Sequence, residues 1–144
     1  MSLAYFDSSA LVKRYVREQG SAQVNSLISR HEVLSSAITP VEVLSALSRR
    51  KRSGDLAAHE FSTLLDRIQS ERIRWELIEI TSAVLSRAEE IIQGPLPMRA
   101  LDAIHVASSV VFQAATSVRV PFVTGDARQR EAASQVGLDV VWLG

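Results

Sequence analysis

The sequence contains no cysteine among its 144 residues, and this absence removes three classes of site at once. Without cysteine there is no disulfide bond, no zinc–thiolate centre and no thiol nucleophile. The absence also fits a reducing compartment. Proline and glycine are scarce, with four and six residues, and they mark isolated turns rather than an interdomain linker. We therefore expect residues 1–144 to form one domain around one core.

Long apolar runs are missing as well. No segment approaches the ~18 consecutive apolar residues that span a bilayer. The apolar start of the chain, Leu3–Phe6, stops at Asp7 and is too short for a secretion signal. From these two absences we expect a cytoplasmic protein without membrane contact.

The chain also has no excess of charge of either sign. The 16 Lys and Arg residues balance the 16 Asp and Glu residues, so the total does not indicate a strongly basic nucleic-acid binder. Most of the basic residues are arginine, which favours bidentate contacts with phosphate. The run of four cations at 49–52 has two interpretations, a solvated helix end or a local phosphate contact.

Short apolar segments alternate with amphipathic segments along the chain. They predict strands at 3–6, 33–38, 75–80, 118–123 and 138–142. Periodicity and capping residues predict helices at 10–17, 21–29, 40–54, 56–71, 81–93, 100–113 and 127–136, with Val41 and Leu101 on buried faces. Ser8-Ser9 and Thr81-Ser82 are the expected caps of the first and fifth of these helices. This order of elements predicts an α/β fold, a three-layer α/β/α sandwich with a mostly parallel five-stranded sheet.

Three acidic residues lie in strongly apolar surroundings, where an ionised group needs a partner, hydrogen bonds or a metal. They are Asp7 after Ala-Tyr-Phe, Glu42 between two valines, and Asp102 between a leucine and an alanine. A fourth, Asp126, follows the fourth predicted strand in the segment Thr-Gly-Asp. Each also has a simpler interpretation, as a helix cap or as a carboxylate that complements a helix dipole.

Each of the four acids falls at the start of a predicted helix. In a parallel sandwich these helix starts gather at the edge where ligands bind. Two carboxylates ~4 Å apart at an effective dielectric of ~20 repel by roughly 4 kcal/mol, and a helix N-terminus offsets less than ~1 kcal/mol. The remainder requires raised pKa values or a bound cation. Oxygen ligands without histidine or cysteine select Mg²⁺ or Mn²⁺ over zinc.

Four segments resemble the motifs of the PIN-domain family, in the family's order, and the resemblance runs from about Leu3 to Trp142. They are Asp7-Ser-Ser-Ala-Leu-Val-Lys-Arg-Tyr15, Thr39-Pro-Val-Glu-Val-Leu-Ser-Ala-Leu-Ser-Arg49, Arg99-Ala-Leu-Asp-Ala-Ile-His-Val-Ala107 and Phe122-Val-Thr-Gly-Asp126. A short chain of this kind is most similar to the VapC toxins of type II toxin–antitoxin pairs. The resemblance implies a metal-dependent endoribonuclease that hydrolyses RNA phosphodiester bonds.

By that similarity, the catalytic metal ligands for Mg²⁺ or Mn²⁺ are Asp7, Glu42, Asp102 and Asp126. Ser9 and Thr124 are supporting polar groups. The resemblance also implies a homodimer and a cognate VapB-like antitoxin that inserts a peptide into the site. We expect the dimer contact on the helices at 41–52 and 56–71. The basic residues expected to hold RNA phosphates are Lys13, Arg14, Arg17 and Arg49.

Other interpretations stay open at this point. His105 is three residues after Asp102 and could contact substrate, orient Asp102 or simply pack in the core. The whole chain could be a catalytically inactive PIN-like module that binds RNA or protein. A phosphorelay receiver shares the strand–helix order, but it needs an aspartate at the end of the third strand, where Ile80-Thr81 stand.

Overall fold

The computed structural model describes residues 1–144 and contains five strands, seven α-helices and one 3-10 turn. The strands are β1 (Leu3–Phe6), β2 (Glu32–Ser36), β3 (Glu76–Ile78), β4 (Phe122–Thr124) and β5 (Val140–Trp142). The helices are α1 (Ser8–Tyr15), α2 (Ser21–Arg30), α3 (Thr39–Arg52), α4 (Ala58–Glu71), α5 (Ser82–Ile92), α6 (Ala100–Thr116) and α7 (Ala127–Gln135), and the 3-10 turn is Arg72–Arg74.

All strands pair in parallel, in the order β3-β2-β1-β4-β5. From β1 the chain adds strands on one side, to β2 and β3, and then crosses to β4 on the other side. The change of direction lies between β1 and β4, which end just before Asp7 and just before Gly125. Such a switch point opens a crevice at the carboxyl ends of the strands, which is where ligands bind in open parallel sheets.

The two faces of the sheet carry separate cores, because successive side chains of a strand point to opposite sides. On one face Ala4 and Phe6 pack against α1 to α4. On the other face Tyr5 packs with Phe122 against α6 and α7, and α5 covers α6 from outside. The predicted three-layer α/β/α sandwich with five parallel strands is therefore confirmed.

Two details of the predicted helices are wrong. The first helix begins at Ser8 and is capped by Asp7, whose side chain accepts from Ala10 N, whereas we predicted a start at Ala10 with serine as the cap. Val41 and Leu101 were assigned to buried faces, yet they are 63% and 43% exposed. Both residues directly precede an acid at a helix start, and the turn that points the acid inward points its neighbour outward.

None of the helices combines the length and the apolar composition that crossing a bilayer requires.

Candidate active site

A cleft of about 580 Å³ lies at the carboxyl edge of the sheet. We call it the acid cleft, because its wall contains Glu42, Asp102 and Asp126. Ser8 and Ser9 of α1 also line it, and Asp7 lies behind them, fully buried and bonded to Ser9. The structure thus brings the four predicted acids to one place, each at the first turn or cap of its helix.

Asp7 is held by three hydrogen bonds on both of its oxygens. Ser9 Oγ and Ala10 N donate to Oδ1 at 2.7 and 2.9 Å, and the Thr124 hydroxyl donates to Oδ2. Burial raises the pKa of Asp7 above its ordinary value, although these hydrogen bonds act in the opposite direction. No lysine or arginine neutralises it, so the charged form is costly unless a cation binds nearby.

Glu42 is anchored through a single oxygen. Ser8 Oγ and His105 Nε2 both donate to Oε1, the latter at 2.6 Å, while Oε2 receives no hydrogen bond from the protein. Burial alone would raise the pKa of Glu42, but the hydrogen bonds from His105 and Ser8 outweigh it and hold the pKa below its ordinary value. Glu42 is therefore ionised at neutral pH with one oxygen available in the cleft.

Of the three roles left open for His105, the structure confirms the one of a residue packed in the core. His105 is 1% exposed, makes no hydrogen bond with Asp102 and does not line the cleft, so it is not positioned to touch a substrate. Its ring instead joins Glu42 to the hydroxyl of Tyr5, which lies 2.7 Å from Nδ1. Burial, followed by the charges of Asp7 and Glu42, raises the pKa of Tyr5 well above its ordinary value, so the phenol stays protonated.

Asp102 is nearly buried and has two weak partners. Arg99 Nε lies 3.5 Å from Oδ2, and this arginine is mostly exposed. Gln129 Nε2 donates to Oδ1 at 3.3 Å, while Gln129 Oε1 is buried without any partner. Sequence analysis missed Gln129, although its place three residues after Asp126 on α7 is the spacing that returns a side chain to the same helix face.

Asp126 caps α7, as its simpler interpretation stated. Its Oδ1 accepts from Arg128 N and Gln129 N at 2.8 and 3.3 Å, and Oδ2 receives no hydrogen bond from the protein. Thr124 Oγ1 links the two central acids, since it donates to Asp7 and accepts from Asp126 N. Capping and ligand roles are compatible here, because the cap uses only one carboxylate oxygen.

The four basic residues expected near the mouth fall into two groups. Arg49 lines the acid cleft, and Lys13 lies in an adjoining depression that also contains Ser9 and Gly125. Arg14 and Arg17 are elsewhere: Arg14 pairs with Glu71 at 3.0 Å, and Arg17 lines a separate groove near α4. Arg14 is one residue beyond Lys13 on α1, which rotates its side chain by about 100° away from the Ser9 and Lys13 face. Arg17 leaves that face for another reason, because α1 ends at Tyr15 and the chain is extended at Val16.

The donor set fits a hard divalent cation in its chemistry, since the cleft offers carboxylate oxygens, and Glu42 and Asp126 each keep one unbonded oxygen. In the described conformation, however, no group of three or more histidine, aspartate or glutamate side chains is arranged to hold a metal ion. Binding one ion therefore requires some of these side chains to turn from their present partners, and Asp102 has the weakest ones.

Comparison with known proteins identifies the family of this chain and agrees with its fold. The PIN domain family model matches residues 4–135. Ribonuclease VapC46 of Mycobacterium tuberculosis is 33% identical over 142 residues, which cover 98% of this chain and 98% of that protein. Ribonuclease VapC47 of the same species is 26% identical over 145 residues, which cover 94% and 93%.

Solved structures share the same architecture. FitAcB from Neisseria gonorrhoeae superposes with a TM-score of 0.72 at 16% identity and covers 96% of this chain and 95% of its own. VapBC2 from Rickettsia felis, bound to a DNA fragment from the promoter of the pair, gives a TM-score of 0.66 at 14% identity and covers 99% of each chain. At these identities the likeness is one of fold.

Proposed function

Because this chain belongs to the PIN-domain family, we propose that it is an endoribonuclease of the VapC type that hydrolyses RNA phosphodiester bonds with the help of Mg²⁺ or Mn²⁺. The observation that carries the proposal is the acid cleft, where Glu42, Asp102 and Asp126 line one wall and Asp7 lies buried behind Ser9. Carboxylate oxygens at a sheet switch point are the ligands that a hard divalent cation prefers, and Asp7 is buried there with no lysine or arginine bonded to it.

The residues proposed to hold the metal are Asp7, Glu42, Asp102 and Asp126, with Ser9 and Thr124 fixing Asp7. A bound Mg²⁺ or Mn²⁺ would lower the pKa of a coordinated water, so that hydroxide is available to attack phosphorus, and would offset the negative charge that develops on the phosphate. The protein's own part is to present ionised oxygens in fixed positions. Glu42 does so with Oε2, since its other oxygen is occupied by Ser8 and His105.

The cations nearest the cleft are proposed to hold the RNA backbone. Arg49 lines the cleft itself, and Lys13 stands beside it with its ammonium 3.2 Å from Glu18. Phosphate contacts of this kind position a substrate without reading its sequence. We therefore expect loss of Arg49 to weaken RNA binding uniformly and to reduce its dependence on salt.

The test compares RNA cleavage by the wild-type protein and by Asp7→Asn, each with Mn²⁺ and with EDTA. Asp66→Asn is the matched control, because it makes the same change at an exposed acid on α4, away from the cleft. We expect cleavage only by the wild type and the control, and only with the metal. Equal cleavage by wild type and Asp7→Asn would remove the basis for the assignment.

A second candidate is a catalytically inactive PIN-like module that binds RNA or protein. The observation in its favour is that no three acids are arranged as a ligand set in the described conformation. A titration with Mn²⁺ separates the two. An inactive module should bind no ion in the cleft, whereas the nuclease should bind Mn²⁺ and lose that binding with Asp7→Asn.

We further propose that the protein is a cytoplasmic toxin neutralised by a VapB-like antitoxin and that it forms a homodimer through α3 and α4. The exposed Val41 and Leu101 at the cleft support the antitoxin proposal, because an inserted peptide could bury them. Co-expression with the product of an adjacent small reading frame should give a complex that does not cleave RNA. Light scattering of the chain alone should report twice its mass, and a monomer at micromolar concentration would contradict the dimer.

A further inference from the structure

We propose that His105 and Tyr5 are positioning residues, which hold Glu42 in the orientation that presents its free oxygen to a metal in the acid cleft. The inference rests on the proposed function. It concerns side chains that make no contact with the cleft themselves, since neither residue lines it. It also replaces the earlier expectation that His105 acts on Asp102 or on the substrate.

The geometry is a continuous chain of hydrogen bonds across four elements. Tyr5 on β1 meets His105 Nδ1 on α6 at 2.7 Å, and His105 Nε2 meets Glu42 Oε1 on α3 at 2.6 Å. Ser8 on α1 completes the arrangement, with its hydroxyl donating to Glu42 Oε1 and lying 3.0 Å from His105 Nε2. Every polar atom of the His105 ring is therefore used.

The bonding pattern selects one tautomer of the ring. An ionised carboxylate only accepts hydrogen bonds, so His105 Nε2 must carry the proton that Glu42 receives. The phenol of Tyr5 is protonated at neutral pH, so its O–H donates a hydrogen bond to His105 Nδ1. A ring protonated only at Nε2 satisfies both contacts.

The chain of bonds acts on one oxygen and leaves the other free. Glu42 is partly exposed in the cleft, with Oε1 tied to two donors and Oε2 unbonded. A glutamate has three rotatable bonds, so without these donors its carboxylate would sample several positions, and metal binding would have to order it. Partners of this kind typically change metal affinity by about 10- to 100-fold when they are removed.

The first experiment measures Mn²⁺ affinity by electron paramagnetic resonance of the free ion, for His105→Leu and His105→Gln. Glutamine can place an amide donor near the position of Nε2, whereas leucine fills the space without a donor. We expect binding about 10- to 100-fold weaker for the leucine variant and within about threefold of wild type for the glutamine variant. His31→Leu, at a histidine that bonds to Ser2 outside the cleft, is the matched control and should bind as wild type does.

The second experiment tests the contribution of Tyr5. Tyr5→Phe keeps the stacked ring against Phe122 and removes only the hydroxyl. We expect its Mn²⁺ binding to fall between those of the two His105 variants. Tyr15→Phe removes a hydroxyl that bonds to Glu71 outside the cleft, and it should leave Mn²⁺ binding unchanged.

The third experiment reads the ring directly, without metal or substrate. Nitrogen-15 NMR of the imidazoles should show one histidine fixed as the neutral Nε2–H form in wild type, and this signal should disappear in His105→Gln. In Tyr5→Phe the same ring should keep its proton on Nε2, because Glu42 still accepts from that atom, while the Nδ1 resonance should shift because it has lost its hydrogen-bond donor.

The outcomes separate this inference from the proposed function. If wild type neither binds Mn²⁺ nor cleaves RNA, the proposed function fails, whatever the tautomer. If wild type does both and folded His105→Leu binds Mn²⁺ as tightly as His105→Gln, only the positioning role fails. A ring protonated at Nδ1, alone or at both nitrogens, overturns the role of Tyr5. If His105→Leu does not fold, the Mn²⁺ affinities of Tyr5→Phe and His105→Gln still decide whether the two residues position Glu42.

Discussion

Replacing Asp7 by asparagine should make the metal-free protein progressively more stable, relative to wild type, as the pH rises. Asp7 is fully buried, and burial raises its pKa above 3.8. A carboxyl whose pKa is raised by folding contributes stability that is present below 3.8 and is lost as the pH rises through the folded-state pKa. Asparagine does not titrate, so the variant escapes this loss.

The magnitude has two parts with different pH dependence. Asparagine can still accept from Ser9 Oγ and Ala10 N, but its amide reverses the bond with Thr124, whose hydroxyl proton then lacks an acceptor. An unsatisfied buried group of this kind costs about 1–3 kcal/mol at every pH. The titrating part favours the variant by about 1.4 kcal/mol for each unit by which folding raises the pKa. The change with pH of the stability difference between variant and wild type therefore identifies the titration of Asp7.

The assay is urea denaturation in EDTA from about pH 4 to about pH 8, where a carboxyl with a raised pKa titrates. Asp139→Asn is a control of opposite sign, because the hydrogen bond from Arg119 lowers the pKa of exposed Asp139 and its variant should lose slightly as the pH rises. In a second series, without EDTA, free Mn²⁺ at 100 times its Kd should raise the free energy of unfolding of wild type by about 2.7 kcal/mol and leave that of Asp7→Asn unchanged. Wild type gaining on Asp7→Asn as the pH rises would refute the reasoning.

Three further predictions concern packing and the cleft. Gly20→Ala should cost more than Gly137→Ala in urea melts, by about 1–3 kcal/mol, because both have positive φ but only at Gly20 would a Cβ meet a backbone carbonyl, at 2.7 Å. Leu47→Ala should cost about 2–5 kcal/mol, since Leu47 is fully buried, and an undiminished melting temperature would contradict the described core. Gln129→Leu removes an unpaired buried oxygen but also the donor of Asp102 Oδ1, so two opposite effects of about 1–3 kcal/mol each should largely cancel in urea melts. Mn²⁺ binding in calorimetry should be no weaker than in wild type, because Asp102 has to leave Gln129 to reach an ion.

The helix starts show which features of the fold the local sequence predicts correctly. Thr81 was predicted to cap its helix and does so, with its side chain accepting from Val84 N. The same local logic placed Asp7 and Asp126 at helix starts, where both are caps. It failed at Val41 and Leu101, since an apolar residue in the first turn can face either the core or the mouth of a cleft, and periodicity alone does not distinguish them.

The order of strands and helices, the parallel sheet and the gathering of four acids at its edge were determined by the sequence itself. Their causes are short-range: capping, helical periodicity, buried apolar runs and the rule that parallel strands end at one edge. Which polar side chains meet was decided only by the tertiary structure. Arg14 pairs with Glu71, and Tyr5 is hydrogen-bonded to His105, which is one hundred positions away in the sequence. The packing of whole helices on the sheet sets these distances, and no local sequence pattern encodes them.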